Sequence, residues 1–162
     1  MAQSVYLETS IISYLAARPS RDLVTAARQQ ITHQWWETRR RHFEVFVSEL
    51  VHLECAAGDP EAAGRRAVIL NSIPSLEITP LAENLADAVL RGANLAASAR
   101  ADALHIAIAV SQGVDYLMTW NVTHIANAER RPLVEHACRA AGYEPPILCT
   151  PDELLGEGVN DV

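Results

Sequence analysis

Three carboxylates in separate segments predict a site for a hard divalent cation. Glu8 ends the apolar run SVYLE and is followed directly by Thr9 and Ser10, Glu54 lies in ELVHLECAA, and Asp102 lies near the start of ADALHIAIAV. An acid at the end of a buried strand is costly unless a cation or several donors meet it. Mg²⁺ and Mn²⁺ prefer oxygen ligands and bind substrate phosphates. The pattern therefore predicts phosphodiester chemistry with a metal-activated water.

Further polar residues follow a later apolar run. Thr119 and Asn121 end the segment DYLMTWN, and His124 stands three residues beyond. In parallel α/β sheets, ligands bind beyond the carboxyl ends of the strands. If both runs are strands of one parallel sheet, these side chains converge with the acids.

Each acid also has a purely structural interpretation. Asp102 is placed to complement a helix dipole in the first turn, and Glu54 is placed to be a solvated residue of an amphipathic helix. Ser10 is placed to cap the first helix, which explains it without a nucleophilic role. These alternatives stay open at the level of the sequence.

A zinc hydrolase is a further alternative, with ligands drawn from His52, His105, His124 or Cys55. Asp102 and His105 are three residues apart and share a helix face. However, the sequence has no H-x-x-x-H, H-E-x-x-H or paired-cysteine spacing, and these are the spacings typical of zinc sites. A lone histidine among apolar helix residues is more often a hydrogen-bonded core residue, so the sequence disfavours zinc.

The elements that position these residues alternate between strands and helices. Five short β-branched or aromatic runs predict strands, namely SVYLE, FEVFV, LEIT, VDYLMTW and PPILC. Ser48, Asp59, Thr79 and Thr150 are predicted to cap the helices that follow, the last three with proline in the first turn. Strands alternating with helices predict an α/β sandwich with a largely parallel sheet.

Two further predictions concern helices. In the long helix after Ser20, the residues Leu23, Ala27, Ile31 and Trp35 are predicted to form the buried stripe. One member of the Trp35–Trp36 pair is predicted to pack in the core and the other to cover a partner or dimer surface. Base stacking by this pair is the alternative. Near the C-terminus, a helix from His124 is predicted to bend or break at Pro132.

Length and composition favour one cytoplasmic domain over residues 1–162. The 162 residues are 49% hydrophobic and 20% charged, which is enough for a core without disulfides. We find neither a membrane-length apolar run nor a signal sequence, and three scattered cysteines are expected to stay reduced. All 13 basic residues are arginine, and the net charge of −7 argues against an extended nucleic-acid surface.

Four segments together resemble the PIN-domain family, and specifically the VapC-type toxins of toxin–antitoxin systems. They are YLETSIISYL, SELVHLECAAGDP, ADALHIAIAV and VDYLMTWNVTHIAN, in that order. The resemblance implies a three-layer α/β/α sandwich with a central, mainly parallel sheet of four to five short strands. It also implies an Mg²⁺- or Mn²⁺-dependent ribonuclease that cleaves RNA, forms a homodimer and is inhibited by a small antitoxin protein. The implied catalytic and metal-binding residues are Glu8, Glu54 and Asp102, supported by Thr9, Ser10, Thr119, Asn121 and His124.

Two departures from the family pattern concern this site. Glu8 stands where the family usually has Asp, and the acid that often follows the fourth strand is replaced by Asn121 and His124. The pocket then has three anionic ligands, which disfavours a second tightly held metal. These departures motivate an alternative function, a PIN-like module with weak or no catalysis that acts as a binding or regulatory partner.

Overall fold

The structure, a computed structural model, describes residues 1–156. Residues 157–162 of the predicted domain lie outside the described residues. All strand pairs are parallel, in the order β3-β2-β1-β4-β5. The strands are β1 (Gln3–Leu7), β2 (Phe43–Ser48), β3 (Ser75–Leu76), β4 (Tyr116–Met118) and β5 (Ile147–Cys149).

The described residues also form α-helices between and around these strands. They are α1 (Thr9–Ala16), α2 (Leu23–Thr38), α3 (Glu49–Cys55), α4 (Pro60–Leu70), α5 (Pro80–Gly92), α6 (Arg100–Ser111) and α7 (Arg131–Ala140). Short 3₁₀ segments cover Arg40–His42, Ala97–Ala99 and Pro151–Leu154.

The helices form two layers, one on each face of the sheet. α1 packs against α2, α3 and α4, whereas α5 packs against α6 and α7. Right-handed crossovers explain this division, because the chain moves one way from β1 to β3 and the other way from β3 to β5. The predicted three-layer α/β/α sandwich with a parallel sheet is confirmed.

The predicted helix caps mostly form. The side chains of Ser48, Asp59 and Thr79 accept hydrogen bonds from Val51, Ala62 and Ala82 respectively. Thr150 and Glu153 form the capping box, although the segment they begin is a 3₁₀ turn. For α1 the prediction of Ser10 as the cap is wrong, because the N-cap is Glu8 and its side chain accepts from Ser10 N.

The predicted buried stripe of α2 is right at Trp35, which is buried, and at Ile31, which packs partly buried against the core, but it is wrong at Leu23 and Ala27. Leu23 is 85% exposed and Ala27 is also exposed, whereas Gln29, Thr32 and Trp35 are buried. The polar residues are buried because each has a partner: Gln29 bonds the backbone of Arg18 and Ser20, and Thr32 accepts from the Trp120 indole. The spacing of apolar residues cannot predict a helix face that is buried through hydrogen bonds.

The other two helix predictions concern the Trp35–Trp36 pair and the helix that contains Pro132. Trp35 is fully buried, as predicted for one member of the pair, and Trp36 is half-buried beneath the guanidinium of Arg40, 4.0 Å from its ring centre. The helix predicted from His124 begins only at Arg131, with Pro132 in its first turn, where proline is favoured.

Within residues 1–156, no helix has both the length and the apolar character needed to cross a membrane.

Candidate metal centre

The candidate site lies where the strand order reverses. β1 is central, with β2 on one side and β4 on the other. Glu8 follows β1 directly and Thr119 follows β4, so both residues lie at the carboxyl edge of the sheet. This reversal opens a crevice beyond the strand ends, which is where open α/β sheets bind ligands.

Glu8 is held by three donors on one oxygen. Its Oε2 accepts from Ser10 N at 3.0 Å, from Ser10 Oγ, and from Thr119 Oγ1 at 2.7 Å. In the described part of the chain, Oε1 takes no hydrogen bond. Glu8 is only 7% exposed, so its carboxylate is fixed in place with one oxygen free to bind a cation.

Glu54 is held in the same manner from a different direction. Its Oε1 accepts from Thr9 Oγ1 at 2.5 Å and lies 2.6 Å from His105 Nε2. The other oxygen, Oε2, forms no hydrogen bond with residues 1–156. Partial burial opposes ionisation of Glu54, but the hydrogen bonds with His105 and Thr9 outweigh it and lower the pKa of this carboxyl.

Glu8, Glu54 and His105 form one cluster. One oxygen of each glutamate and one ring nitrogen of His105 all lie within 4.8 Å of one another. The ion pairs found in residues 1–156 give neither glutamate an arginine partner. Two carboxylates with free oxygens and no neutralising guanidinium fit a hard divalent cation.

Asp102 lies outside this cluster and is bonded at both oxygens. Asn121 Nδ2 donates to Oδ1 at 3.0 Å, and His124 Nδ1 lies 2.7 Å from Oδ2. Asn121 also connects this group to Glu8, because its backbone N–H donates to Thr119 Oγ1 at 2.9 Å, and Thr119 donates to Glu8. The structure therefore brings Glu8 and Glu54 into one cluster and connects Asp102 to Glu8 through Asn121 and Thr119.

A cavity of about 430 Å³ opens beside the glutamates. Its walls include Glu8, Thr9, Ser10, Tyr14 and Glu54. Tyr14 packs in a T-shaped arrangement against Trp120, the residue before Asn121, with the ring centres 6.2 Å apart. The cavity brings an aromatic surface next to the carboxylates.

The zinc-ligand candidates separate in the structure. His105 joins the two glutamates, whereas His124 pairs with Asp102. His52 is exposed on α3 and Cys55 is buried, and neither belongs to the cluster. Burial also raises the pKa of the Cys55 thiol to about 11.

The sequence did not predict a functional role for two side chains that lie at the site, His105 and Tyr6. It offered His105 only as an alternative zinc ligand, and Tyr6 only as a residue of the first strand. Tyr6 bonds His105, and its pKa is raised, chiefly by burial. Their contacts span 99 and 51 positions along the chain, so local spacing carries no signal for them.

Comparisons with known proteins identify the family of this chain. The sequence model of the PIN domain matches residues 5–124, which include every residue of the site. The chain belongs to the PIN domain family. No curated protein sequence matches this chain.

Two solved structures share the PIN fold seen here. One is the Mycobacterium tuberculosis toxin VapC20, described as cleaving the sarcin–ricin loop, with 20% identity and a TM-score of 0.58 over 74% of this chain and 92% of that one. The other is Rickettsia felis VapBC2 bound to a DNA fragment from its promoter, with 14% identity and a TM-score of 0.59 over 91% of this chain and 98% of that one. At these identities the likeness establishes the fold.

Proposed function

We propose that this PIN domain is a metal-dependent endoribonuclease and the toxin of a toxin–antitoxin pair. The observation that carries the proposal is that Glu8 and Glu54 lie in one cluster, and that each has one carboxylate oxygen held by donors. Each carboxylate has one oxygen saturated by donors and one that accepts nothing from the described residues. Carboxylate oxygens are the ligands that Mg²⁺ and Mn²⁺ prefer, and here they are held in place before a cation arrives.

Glu8, Glu54 and Asp102 are the proposed metal-holding residues. A bound Mg²⁺ or Mn²⁺ supplies charge neutralisation at the phosphodiester and an activated water. Thr119 and Ser10 fix Glu8 from one side, while Thr9 fixes Glu54 from the other. Pre-organisation of this kind removes the need to reorder the ligands when substrate arrives.

Asn121 and His124 complete the proposed supporting set by orienting Asp102. Both contacts to the carboxylate are short, at 3.0 and 2.7 Å, and the Asp102 side chain is only 21% exposed. In this PIN domain they stand where relatives often have an acid. We propose that they restrain Asp102 rather than add a further anionic ligand.

The proposed substrate is RNA. The net charge of −7 leaves only local basic groups for the backbone, and Arg28 is one such group. Its guanidinium lies 5.3 Å from the centre of the Trp120 ring, and it forms no ion pair within residues 1–156. Arg28 thus offers a phosphate-binding cation beside Trp120, the residue before Asn121, and Tyr14 offers an aromatic ring in the cavity that Glu8 and Glu54 line.

The proposed partners are a small antitoxin protein and a second copy of the chain. The antitoxin proposal is supported by the family and by the VapBC2 likeness, whose description names a complex bound to promoter DNA. We further propose that residues 1–162 form one domain.

Cleavage of RNA in the presence of Mg²⁺ or Mn²⁺ tests the proposal. We expect cleavage by the purified protein, inhibition by EDTA, and a loss of at least about 100-fold in Glu8→Gln and Glu54→Gln. Glu37→Gln is the matched control, because Glu37 is exposed at the end of α2, near the amino ends of the strands. No cleavage by the wild-type protein, or equal cleavage by Glu8→Gln, would contradict the proposal.

The second candidate is a catalytically weak module that binds partners. It is favoured by Asp102, whose two oxygens are both engaged by side chains, which leaves two carboxylates with free oxygens. Calorimetric titration with Mn²⁺ separates the candidates. If the wild-type protein binds Mn²⁺ and cleaves RNA, and Asp102→Asn does not bind Mn²⁺, the nuclease is supported. If the wild-type protein binds Mn²⁺ but cleaves no RNA, the module is supported.

A further inference from the structure

A buried chain of hydrogen bonds runs behind the candidate metal centre and ends on Glu54. Ser48 Oγ and Tyr6 Oη are 2.7 Å apart, Tyr6 Oη and His105 Nδ1 are 2.7 Å apart, and His105 Nε2 lies 2.6 Å from Glu54 Oε1. Ser48 and Tyr6 are fully buried and His105 is 1% exposed. Away from water, each donor in such a chain must face an acceptor.

The contacts of Ser48 set the direction of the chain. Its Oγ accepts from Val51 N at 3.3 Å, and Tyr6 is the other polar group that it touches within the described residues. The Ser48 hydroxyl hydrogen therefore points to Tyr6, and the Tyr6 hydrogen points to His105 Nδ1. Nδ1 is then an acceptor, so the hydrogen of a neutral ring resides on Nε2 and points to Glu54.

The other hydrogen arrangements are unfavourable. A ring protonated only at Nδ1 would place the Nε2 lone pair against the Glu54 carboxylate at 2.6 Å. Any ring with a hydrogen on Nδ1 also turns the Tyr6 hydrogen towards Ser48. The Ser48 hydrogen would then have no acceptor among residues 1–156, and an unpaired buried donor is costly.

We infer that His105 is a positioning residue that donates from Nε2 to Glu54, and that it is not a metal ligand. The inference rests on the proposed metal-dependent function and narrows it. Of the three groups clustered at the centre, His105 is committed to the protein and the two glutamates remain. His105 and Thr9 together occupy Oε1 of Glu54 and leave Oε2 for the cation. An all-oxygen set favours Mg²⁺ or Mn²⁺ and disfavours Zn²⁺.

Nitrogen NMR of the imidazole rings tests the hydrogen position directly. Long-range ¹H–¹⁵N correlation spectra of the full chain would be recorded in EDTA and then with Mg²⁺, with the His105 signals assigned by their absence in His105→Gln. We expect the Nε2–H tautomer in both conditions. A hydrogen on Nδ1 in EDTA, or loss of the Nε2 hydrogen when Mg²⁺ is added, would overturn the inference.

Substitutions at His105 provide a second test. His105→Gln keeps an N–H donor for Glu54, whereas His105→Leu removes it. With Mn²⁺ in a calorimeter, we expect His105→Gln to bind within about threefold of wild type and His105→Leu to bind at least about tenfold more weakly. Equal large losses in both variants would identify His105 as a ligand and overturn the inference.

Tyr6→Phe keeps the experiment decisive if His105→Leu does not fold. It removes the hydroxyl that donates to Nδ1 and keeps the aromatic packing, while Glu54 still accepts from Nε2, so we expect the Nε2–H tautomer to persist. A hydrogen on Nδ1 and none on Nε2 in Tyr6→Phe would show that Glu54 does not hold the Nε2 hydrogen, and would overturn the inference. None of these measurements contains RNA, so a failed cleavage assay and a failed tautomer test are distinguishable.

Discussion

Glu8 and Glu54 should repel each other in the metal-free protein, and a double-mutant cycle measures how strongly. The perturbation is the set Glu8→Gln, Glu54→Gln and the double variant. Glutamine keeps an oxygen that can accept from the same donors, so the hydrogen-bond losses at each site largely cancel in the cycle. What remains is the interaction between the two charges.

The distance sets the magnitude of this coupling. With oxygens at the 4.8 Å limit of the cluster, the repulsion is about 0.9 kcal/mol at a dielectric constant of 80 and about 3.5 kcal/mol at 20. Glu54 is 34% exposed and Glu8 is largely buried, so the two limits bracket the site. We expect a destabilising coupling of about 1 to 3 kcal/mol at pH 7 in EDTA.

Mn²⁺ should change the coupling between Glu8 and Glu54 from destabilising towards stabilising. A cation that needs both glutamates stabilises only the wild-type protein, and at one hundred times its dissociation constant it contributes about 2.7 kcal/mol. Urea denaturation of the four proteins, with and without Mn²⁺, provides the two couplings. The Glu37→Gln and Glu54→Gln pair should show none.

The coupling in EDTA tests whether the two carboxylates are adjacent, and its change with Mn²⁺ tests whether they share a cation. A coupling below about 0.3 kcal/mol in EDTA is within the scatter of independent sites, and it would mean that the carboxylates are not adjacent. A coupling that Mn²⁺ leaves unchanged would mean that the glutamates do not share a cation, even if they are adjacent.

Three further predictions concern pH, cysteine reactivity and packing. Because the pKa of Glu54 is below its ordinary value of 4.5, its contribution to stability is present above pH 4.5 and lost as the pH falls through the folded-state value. Urea denaturation from pH 3 to 7 should therefore show a flatter profile for Glu54→Gln, and identical profiles would contradict this. The three cysteines are buried, with pKa values raised to about 11 or 12, so we expect no alkylation by iodoacetamide at pH 8 unless urea is added. Gly92→Ala should destabilise the protein by about 1 to 3 kcal/mol, because the new Cβ would lie 2.7 Å from the Cβ of Ala137. Ala137→Gly should restore part of that loss in urea melts, and additive effects would show that the two positions do not clash.

The presence of the five strands and most of the helix caps were predictable because their causes are local. Asp59 and Thr79 each precede a proline, and both cap helices through a backbone N–H three residues later. The need of Glu8 for polar partners was predictable for the same reason, because a charge that directly follows a buried strand is costly without them. Alternation of strands and helices then leaves few arrangements other than a parallel sheet.

Features that depend on distant partners were not predictable. The sequence around His105 is almost wholly apolar, which is typical of a core histidine, and the residue is indeed buried. Its partners Tyr6 and Glu54 come from β1 and α3, and only the parallel register of β1 with β2 brings Tyr6 beside Phe46 and near Ser48. The first half of the predicted α2 stripe was wrong for a related reason, because Gln29 and Thr32 are buried through polar contacts that apolar periodicity does not indicate.

The presence of Glu rather than Asp after β1 has a physical explanation in these contacts. Glu8 both caps α1, by accepting from Ser10 N, and reaches Thr119 at the end of the neighbouring strand β4. A cap normally needs only the short reach of Asp, Asn, Ser or Thr. The extra methylene lets one oxygen serve the cap and Thr119 together, while the second oxygen is left without a donor from residues 1–156. The longer side chain thus ties the loop after β1 to the loop after β4, the two loops on which the three predicted acids depend for their alignment.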